Sequence, residues 1–161
     1  MGFQDKVLSR EINQHLYEQQ KTLATAESCT GGGVAQAIIS TPGASMYFKG
    51  GIISYTNEVK INLLHGPADL IAEKTAVSEE VAVAMVKGAI DALNTDYAVS
   101  VTGVAGPAGG TAEIPVGTIW RACGSKDNIT TCKLTEDEGR DVNLSNAINK
   151  ALHMVLEMIK K

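Results

Sequence analysis

The run Ala26–Gly33 places a serine, a cysteine and a threonine immediately before three glycines. The preceding segment Thr22–Ala26 is small, apolar and partly β-branched, which is typical of a buried strand, and apolar residues at helical spacing follow from Val34. Backbone N–H groups at the start of a helix lack partners, and the helix dipole there favours negative charge. This turn is therefore a candidate cradle for a phosphate, or for an oxyanion that forms beside a nucleophilic Ser28. The same pattern also fits an ordinary helix that a Ser or Thr caps.

Two further polar clusters follow predicted strands. Ser54–Asn57 ends the apolar strand predicted over Gly50–Tyr55, and Thr102 leads from a third predicted strand into a glycine-rich loop that runs from Gly103 to Gly110. In open α/β sheets, ligands bind at the carboxyl ends of the strands. We therefore expect the three clusters to converge on one site.

Lys60 lies five residues after Tyr55, in the first turn of the helix predicted over Glu58–Leu64. A cation in that turn opposes the helix dipole, so we expect its pKa to be lowered. A lysine base needs its pKa brought from about 10.4 toward about 7–8 to work near neutral pH. Ser28, Tyr55 and Lys60 can thus form a serine–lysine hydrolase with a tyrosine relay. Taken singly, Lys60 is also consistent with a solvated lysine, and Tyr55 with an aromatic side chain that anchors a strand end.

Cys29 is the alternative nucleophile, because a thiolate at a helix N-terminus is activated. No histidine lies in any of the three clusters to serve it as a base, so the sequence favours Ser28. The three histidines, His15, His65 and His153, are not spaced as metal ligands. We therefore expect neither a metal nor a cofactor.

The elements that must position these clusters alternate early strands with helices and end in a hairpin. Helices are predicted over Phe3–Glu18, after Thr56 or Asn57 as the cap, over Pro67–Lys74, from Ser78, and from about Asp141. In the first of these helices, the side chains expected to face inward are Val7, Leu8, Ile12 and Leu16. Strands are predicted over Thr22–Ala26, Gly50–Tyr55, Tyr97–Thr102, Val116–Cys123 and Asn128–Leu134. Parallel strands joined by helices, followed by a hairpin, predict a mixed sheet with helices on both faces, in a single domain over residues 1–161.

The composition excludes several classes of protein. A net charge of −4 argues against a nucleic-acid-binding surface, so an anionic ligand must be held by local groups. Residues 1–6 lack the apolar core of a signal peptide, and no apolar run approaches the ~18 residues of a membrane-spanning helix. The three cysteines are odd in number and include no Cys-x-x-Cys pair. We therefore expect a cytoplasmic protein with free thiols and no membrane partner.

Four segments together resemble the CinA carboxy-terminal domain family, whose enzymes are nicotinamide mononucleotide deamidases. They occur in the family's order and are Glu27–Gly32, Tyr55–Lys60, Thr102–Pro107 and Pro115–Thr118. The resemblance implies a three-layer α/β/α sandwich, with a mixed and mainly parallel sheet and a C-terminal antiparallel hairpin. It also implies hydrolysis of nicotinamide mononucleotide to nicotinate mononucleotide and ammonia, in pyridine nucleotide salvage.

The resemblance further implies roles for individual residues. Ser28 is the expected nucleophile, with Tyr55 and Lys60 assisting, and the loop from Thr102 to Gly110 and Arg140 are expected to handle the phosphate. The expected substrate-binding residues are Cys29, Thr30, Gly31, Gly32, Asn57, Thr102, Gly103, Gly106 and Arg140. A homodimer is expected as well. Longer family members carry an additional amino-terminal domain, for which 161 residues leave no room.

The sequence departs from the family pattern after Arg140. Many members continue with more arginines in the next turn, whereas this chain has Val142–Ser145. Fewer positive charges weaken phosphate binding. The alternative hypothesis is therefore a catalytically weak or silent paralogue that acts as a nucleotide-binding or regulatory module. The presence of both Ser28 and Lys60 favours the enzyme.

Overall fold

A five-stranded mixed sheet forms the middle layer of the computed structural model, which describes residues 1–65 and 68–161. Its strands are β1 (Leu23–Glu27), β2 (Phe48–Ile53), β3 (Tyr97–Gly103), β4 (Ile119–Ser125) and β5 (Asn128–Leu134). They lie in the order β2-β1-β3-β4-β5. The strand β1 pairs in parallel with β2 and β3, whereas β4 is antiparallel to both β3 and β5. The carboxyl ends of β1, β2 and β3 therefore meet at one edge.

Helices cover both faces of this sheet. They are α1 (Phe3–Gln19), α2 (Gly33–Ile39), α3 (Asn57–Leu64), α4 (Ala68–Lys74), α5 (Glu79–Leu93) and α6 (Arg140–Ile159), with a short 3-10 helix at Ala44–Met46. One buried cluster joins α1, α2 and α6 to one face, and a second joins α3, α4 and α5 to the other. The expected three-layer α/β/α architecture, with its C-terminal antiparallel strands, is confirmed.

Small side chains bring α5 close to the sheet and α3 close to α5. The buried strand residues in the cluster with α5 include four alanines, namely Ala24, Ala26, Ala98 and Ala122. On α5 itself, Gly88 packs directly against the backbone of Leu64, where a Cβ atom would overlap the carbonyl group. This contact fixes α3, the helix that carries Lys60, against the rest of its layer. Among the described residues, no helix is long and apolar enough to cross a membrane.

The predicted boundaries need correction at two strands. The strand β2 ends at Ile53 rather than Tyr55, so Ser54 and Tyr55 lie in the connection to α3. The strand β4 begins at Ile119 rather than Val116, because Gly117 has a left-handed backbone (φ 93°) that a strand does not accommodate. It then extends to Ser125, which shortens the hairpin turn to residues 126–127.

Two helices, α1 and α4, also differ in detail from the prediction. Val7 was expected to face inward but is 38% exposed, because the buried stripe of α1 runs through Asp5, Leu8, Ser9, Ile12 and Leu16. The predicted helix over Pro67–Lys74 is observed as Ala68–Lys74, and Pro67 lies outside the described residues.

Candidate active site

Ser28 lies in the turn between β1 and α2, at the edge where the parallel strands end. Its backbone N–H donates to the carbonyl oxygen of Val101 on β3 (2.9 Å), and its side chain is 8% exposed. The chain then turns back, with the N–H of Gly31 donating to the carbonyl oxygen of Ser28 (3.0 Å). Gly31 and Gly32 have φ angles of 58° and 99°, a left-handed backbone that glycine adopts without strain. The glycines thus permit the turn that presents Ser28.

Lys60 contacts Ser28 directly. Its Nζ atom lies 2.9 Å from Ser28 Oγ and donates to the carbonyl oxygen of Ser54 at 2.7 Å. The helix that carries it, α3, is capped by the Thr56 side chain, which accepts from the N–H of Val59 (3.4 Å). Lys60 is 2% exposed, and this burial lowers the pKa of its ammonium group. The neutral amine, which can accept the Ser28 proton, is therefore accessible at lower pH than for an exposed lysine.

Cys29 has the properties of an inert thiol. Burial raises the pKa of Cys29 to about 11, and the nearby charge of Glu27 acts in the same direction. A thiol with such a pKa is protonated near neutral pH, and the thiolate is the nucleophilic form. Between the two neighbouring candidates, the geometry and the ionisation both favour Ser28.

Tyr55 and Asn57 lie near this pair but do not bond to it. The side-chain contacts of Lys60 within the described residues go to Ser28 and Ser54, and Tyr55 is not among them. The Tyr55 side chain is 59% exposed, and Asn57, the first residue of α3, is exposed too. Both are open to solvent beside the site, and their roles stay predictions.

The amino terminus of α2 is occupied by a carboxylate of the chain itself. Glu27 is 1% exposed and accepts hydrogen bonds from Thr30 Oγ1 (2.6 Å) and from the N–H groups of Val34 (2.8 Å) and Ala35 (3.0 Å). These helix N–H groups are therefore not free to cradle a phosphate. The N-cap residue is Gly32, without a side-chain cap, so the interpretation of a Ser or Thr cap is also wrong.

The third cluster packs against β4 and the segment between α4 and α5. Thr102 is 1% exposed, and its hydroxyl donates to the carbonyl oxygen of Ala76 (2.8 Å). At Gly103 a Cβ atom would overlap the backbone of Ile119 and Thr118. The structure thus assigns both residues contacts within the chain, and their contact with substrate stays a prediction.

The first turn of α6 holds the glycine-rich loop. Arg140 Nη1 donates to the carbonyl oxygen of Gly106 (2.9 Å), and Asn143 Nδ2 donates to that of Ala105 (3.1 Å). Gly106 itself has a left-handed backbone (φ 83°). The positive charge of Arg140 slightly lowers the pKa of the Cys29 thiol. Burial has the larger effect and raises that pKa. Arg140 and Asn143 thus hold the glycine-rich loop at the start of α6.

The CinA C-terminal domain model matches residues 5–159. The chain belongs to the CinA C-terminal domain family. A CinA-like protein of Cytophaga hutchinsonii is 38% identical over 160 residues, which are 99% of this chain and 38% of that protein. One of Leptospira borgpetersenii is 48% identical over 120 residues, 74% of this chain and 29% of that protein. The chain therefore spans well under half of the length of these relatives.

Solved structures of CinA-type proteins have the same fold. The competence/damage inducible protein CihA from Agrobacterium tumefaciens superposes with a TM-score of 0.96 at 31% identity, covering 100% of this chain and 98% of that one. A CinA superfamily protein from Escherichia coli gives a TM-score of 0.92 at 31% identity, covering 98% and 92%. The resemblance stated from the four sequence segments is confirmed.

Three contributors to this CinA-type site were missed from the sequence. They are the Glu27 carboxylate, the Ser54 carbonyl oxygen and the Asn143 side chain. An acidic residue that ends an apolar strand was a usable signal for Glu27, because buried carboxylates require partners. Within residues 1–65 and 68–161, no group of three His, Cys, Asp or Glu side chains is placed to hold a metal ion.

Proposed function

We propose that the chain is a single deamidase domain, residues 1–161, that hydrolyses nicotinamide mononucleotide to nicotinate mononucleotide and ammonia in pyridine nucleotide salvage. The observation that supports it most is the 2.9 Å contact between Lys60 Nζ and Ser28 Oγ. A buried amine with a lowered pKa beside a serine is the arrangement that activates a hydroxyl without histidine. The family resemblance supplies the substrate.

The proposed reaction begins with proton transfer from Ser28 Oγ to the neutral amine of Lys60. The serine oxygen attacks the carboxamide carbon, and the oxyanion is stabilised by backbone N–H groups of the turn after Ser28. The ammonium group of Lys60 then donates that proton to the amide nitrogen, the C–N bond breaks, and ammonia leaves. Water that Lys60 activates then hydrolyses the acyl ester and restores Ser28. The Ser54 carbonyl oxygen keeps the Lys60 amine oriented, and Tyr55 assists the proton transfers.

The phosphate of the substrate is proposed to bind between Arg140 and the glycine-rich loop. One guanidinium nitrogen of Arg140 donates to the carbonyl oxygen of Gly106, which places this positive charge at the loop. Backbone groups of Gly103 and Gly106 complete this part of the pocket. The remaining proposed contacts to substrate come from Cys29, Thr30, Gly31, Gly32, Asn57 and Thr102. The proposed enzyme is a cytoplasmic homodimer that requires neither a metal nor a cofactor.

A panel of three amides tests this proposal. The purified protein is incubated with nicotinamide mononucleotide, nicotinamide riboside or nicotinamide, and released ammonia and the carboxylate product are both measured. We expect equal amounts of ammonia and nicotinate mononucleotide from the first substrate, and much slower reaction of the two that lack the phosphate. Absence of turnover with all three contradicts the proposal.

The sequence Val142–Ser145 favours a second candidate, because it lacks the additional arginines. A nucleotide-binding or regulatory module would bind nicotinamide mononucleotide without converting it. Calorimetric binding of the unchanged nucleotide, together with no release of ammonia over hours, would establish this alternative.

A further inference from the structure

The buried Glu27 carboxylate has no part in the proposed proton transfers, yet both of its oxygen atoms accept hydrogen bonds. Its Oε1 atom accepts from the Thr30 hydroxyl and the Val34 N–H, and its Oε2 atom accepts from the Ala35 N–H. All three donors belong to the turn after Ser28 or to the first turn of α2. Both ends of that turn are therefore held by one side chain.

Glu27 is also linked to the other half of the catalytic pair. Its carbonyl oxygen accepts from the backbone N–H of Ser54 (2.7 Å) and from Ser54 Oγ (3.3 Å). The carbonyl oxygen of Ser54 in turn accepts from Lys60 Nζ. One residue thus connects the turn that presents Ser28 with the strand end that orients Lys60.

We propose that Glu27 is the positioning residue of the catalytic turn and the group that keeps substrate anions away from the start of α2. This inference rests on the proposed function. A carboxylate at a helix amino terminus makes charge-assisted hydrogen bonds and complements the helix dipole. The turn after Ser28 therefore keeps the shape that holds Ser28 Oγ at Lys60 and directs its backbone N–H groups at the oxyanion. This exclusion is consistent with the proposed phosphate site at the glycine-rich loop.

The variants Glu27→Gln and Glu27→Ala test this role, with Ser9→Ala as the matched control. Ser9 is fully buried and donates to the carbonyl oxygen of Ile38, at the opposite end of the same helix α2. Its loss removes a buried hydrogen bond without touching the turn. All variants are compared with the wild type in thermal unfolding and in steady-state deamidation.

We expect Glu27→Ala to lower kcat about 100-fold, because small misplacements of reacting groups cost about that much. Glu27→Gln keeps one acceptor oxygen, so its kcat should fall by only about tenfold. In both variants KM should stay within about threefold of the wild-type value. Ser9→Ala should lose stability but keep kcat. A folded Glu27→Ala or Glu27→Gln variant with wild-type kcat overturns the proposal, and so does a change that falls on KM alone.

A second readout separates this inference from the proposed function. The labelling rate of Cys29 by a disulfide reagent is measured in a Cys132→Ser background, since Cys132 is exposed and Cys123 is buried. We expect Cys29 to be labelled at least about tenfold faster when Glu27→Ala is added to the Cys132→Ser background, because the turn loosens and a neighbouring negative charge is lost. Ser9→Ala should label at the background rate. If the wild type shows no deamidation, the proposed function fails alone, and unchanged labelling in Glu27→Ala overturns the role of Glu27.

Discussion

Lys60 Nζ lies 2.9 Å from Ser28 Oγ, although the two residues are 32 positions apart and come from segments on opposite sides of the sheet. Ser28 leads into α2 on one face, and Lys60 belongs to α3 on the other. They meet because both segments begin where the neighbouring parallel strands β1 and β2 end. The pair therefore depends on the strand register as much as on its own residues.

The pH dependence of deamidation should follow the ionisation of Lys60. The active form is the neutral amine, so kcat/KM should rise as the pH rises through the lowered pKa of Lys60. The inflection should lie below the pKa of a free lysine, which is about 10.4. Rates of ammonia release between about pH 6 and 10 measure this. A flat profile, or an inflection at the value of free lysine, contradicts a base role for Lys60.

The same burial should make the stability of the protein depend on pH. Lys60 has a lower pKa in the folded chain than in the unfolded chain, where it is about 10.4. Between the two values the unfolded state binds more protons, so the free energy of unfolding rises with pH across that window. Denaturant unfolding of the wild type and of Lys60→Met is measured at neutral pH and near pH 10. The free energy of unfolding of the wild type should increase with pH relative to that of the variant. If the difference in the free energy of unfolding between the wild type and Lys60→Met is the same at both pH values, the prediction is contradicted. The Lys49→Met variant, at an exposed lysine, controls for the loss of one positive charge.

Arg140 should matter for substrates that carry a phosphate. Loss of one charge-assisted contact costs about 1.5–3 kcal/mol, which corresponds to roughly ten- to a hundredfold in affinity. Arg140→Ala should therefore raise KM for nicotinamide mononucleotide more than it lowers kcat, and should hardly change the slow hydrolysis of nicotinamide riboside. Equal losses with both substrates would mean that Arg140 acts through the Gly106 carbonyl and that the phosphate binds elsewhere. Arg10→Ala, at an exposed arginine of α1, is the charge control.

Asn143 should be needed for the shape of the glycine-rich loop. It is 4% exposed and bonds to Ala105 and to Asp137, so its removal leaves the buried carbonyl oxygen of Ala105 without this donor. Asn143→Ala should lower the free energy of unfolding by about 1–3 kcal/mol and raise KM for nicotinamide mononucleotide. Ser145→Ala, at an exposed position of the same helix, should change neither. An Asn143→Ala variant with normal stability and normal KM contradicts this role.

The sequence predicted the fold and the two segments that carry Ser28 and Lys60, because each segment follows a local pattern. Strand, glycine turn and helix follow one another around Ser28, and the same order around Ser54 leads to Lys60. The role of Glu27 was not predictable in this way, since a side chain at a strand end can face either layer. Its partners become apparent only once α2 lies over β1. Asn143 lies in the segment that departs from the arginine pattern, but its contact with Ala105 crosses 38 positions of the chain and is not visible in that pattern. Tyr55 illustrates the opposite case, since its motif is clear while its exposed side chain leaves its role to experiment.

The most direct test compares ammonia release from nicotinamide mononucleotide by the wild type, Ser28→Ala and Cys29→Ala, each first shown to be folded by thermal unfolding. Lys60 Nζ lies within hydrogen-bond distance of Ser28 Oγ. Burial raises the pKa of Cys29 to about 11 and so keeps its thiol protonated near neutral pH. We therefore expect activity in the wild type, its loss in Ser28→Ala, and most of it retained in Cys29→Ala. Near-normal turnover by Ser28→Ala together with an inactive Cys29→Ala would transfer the nucleophilic role to Cys29 and contradict the account.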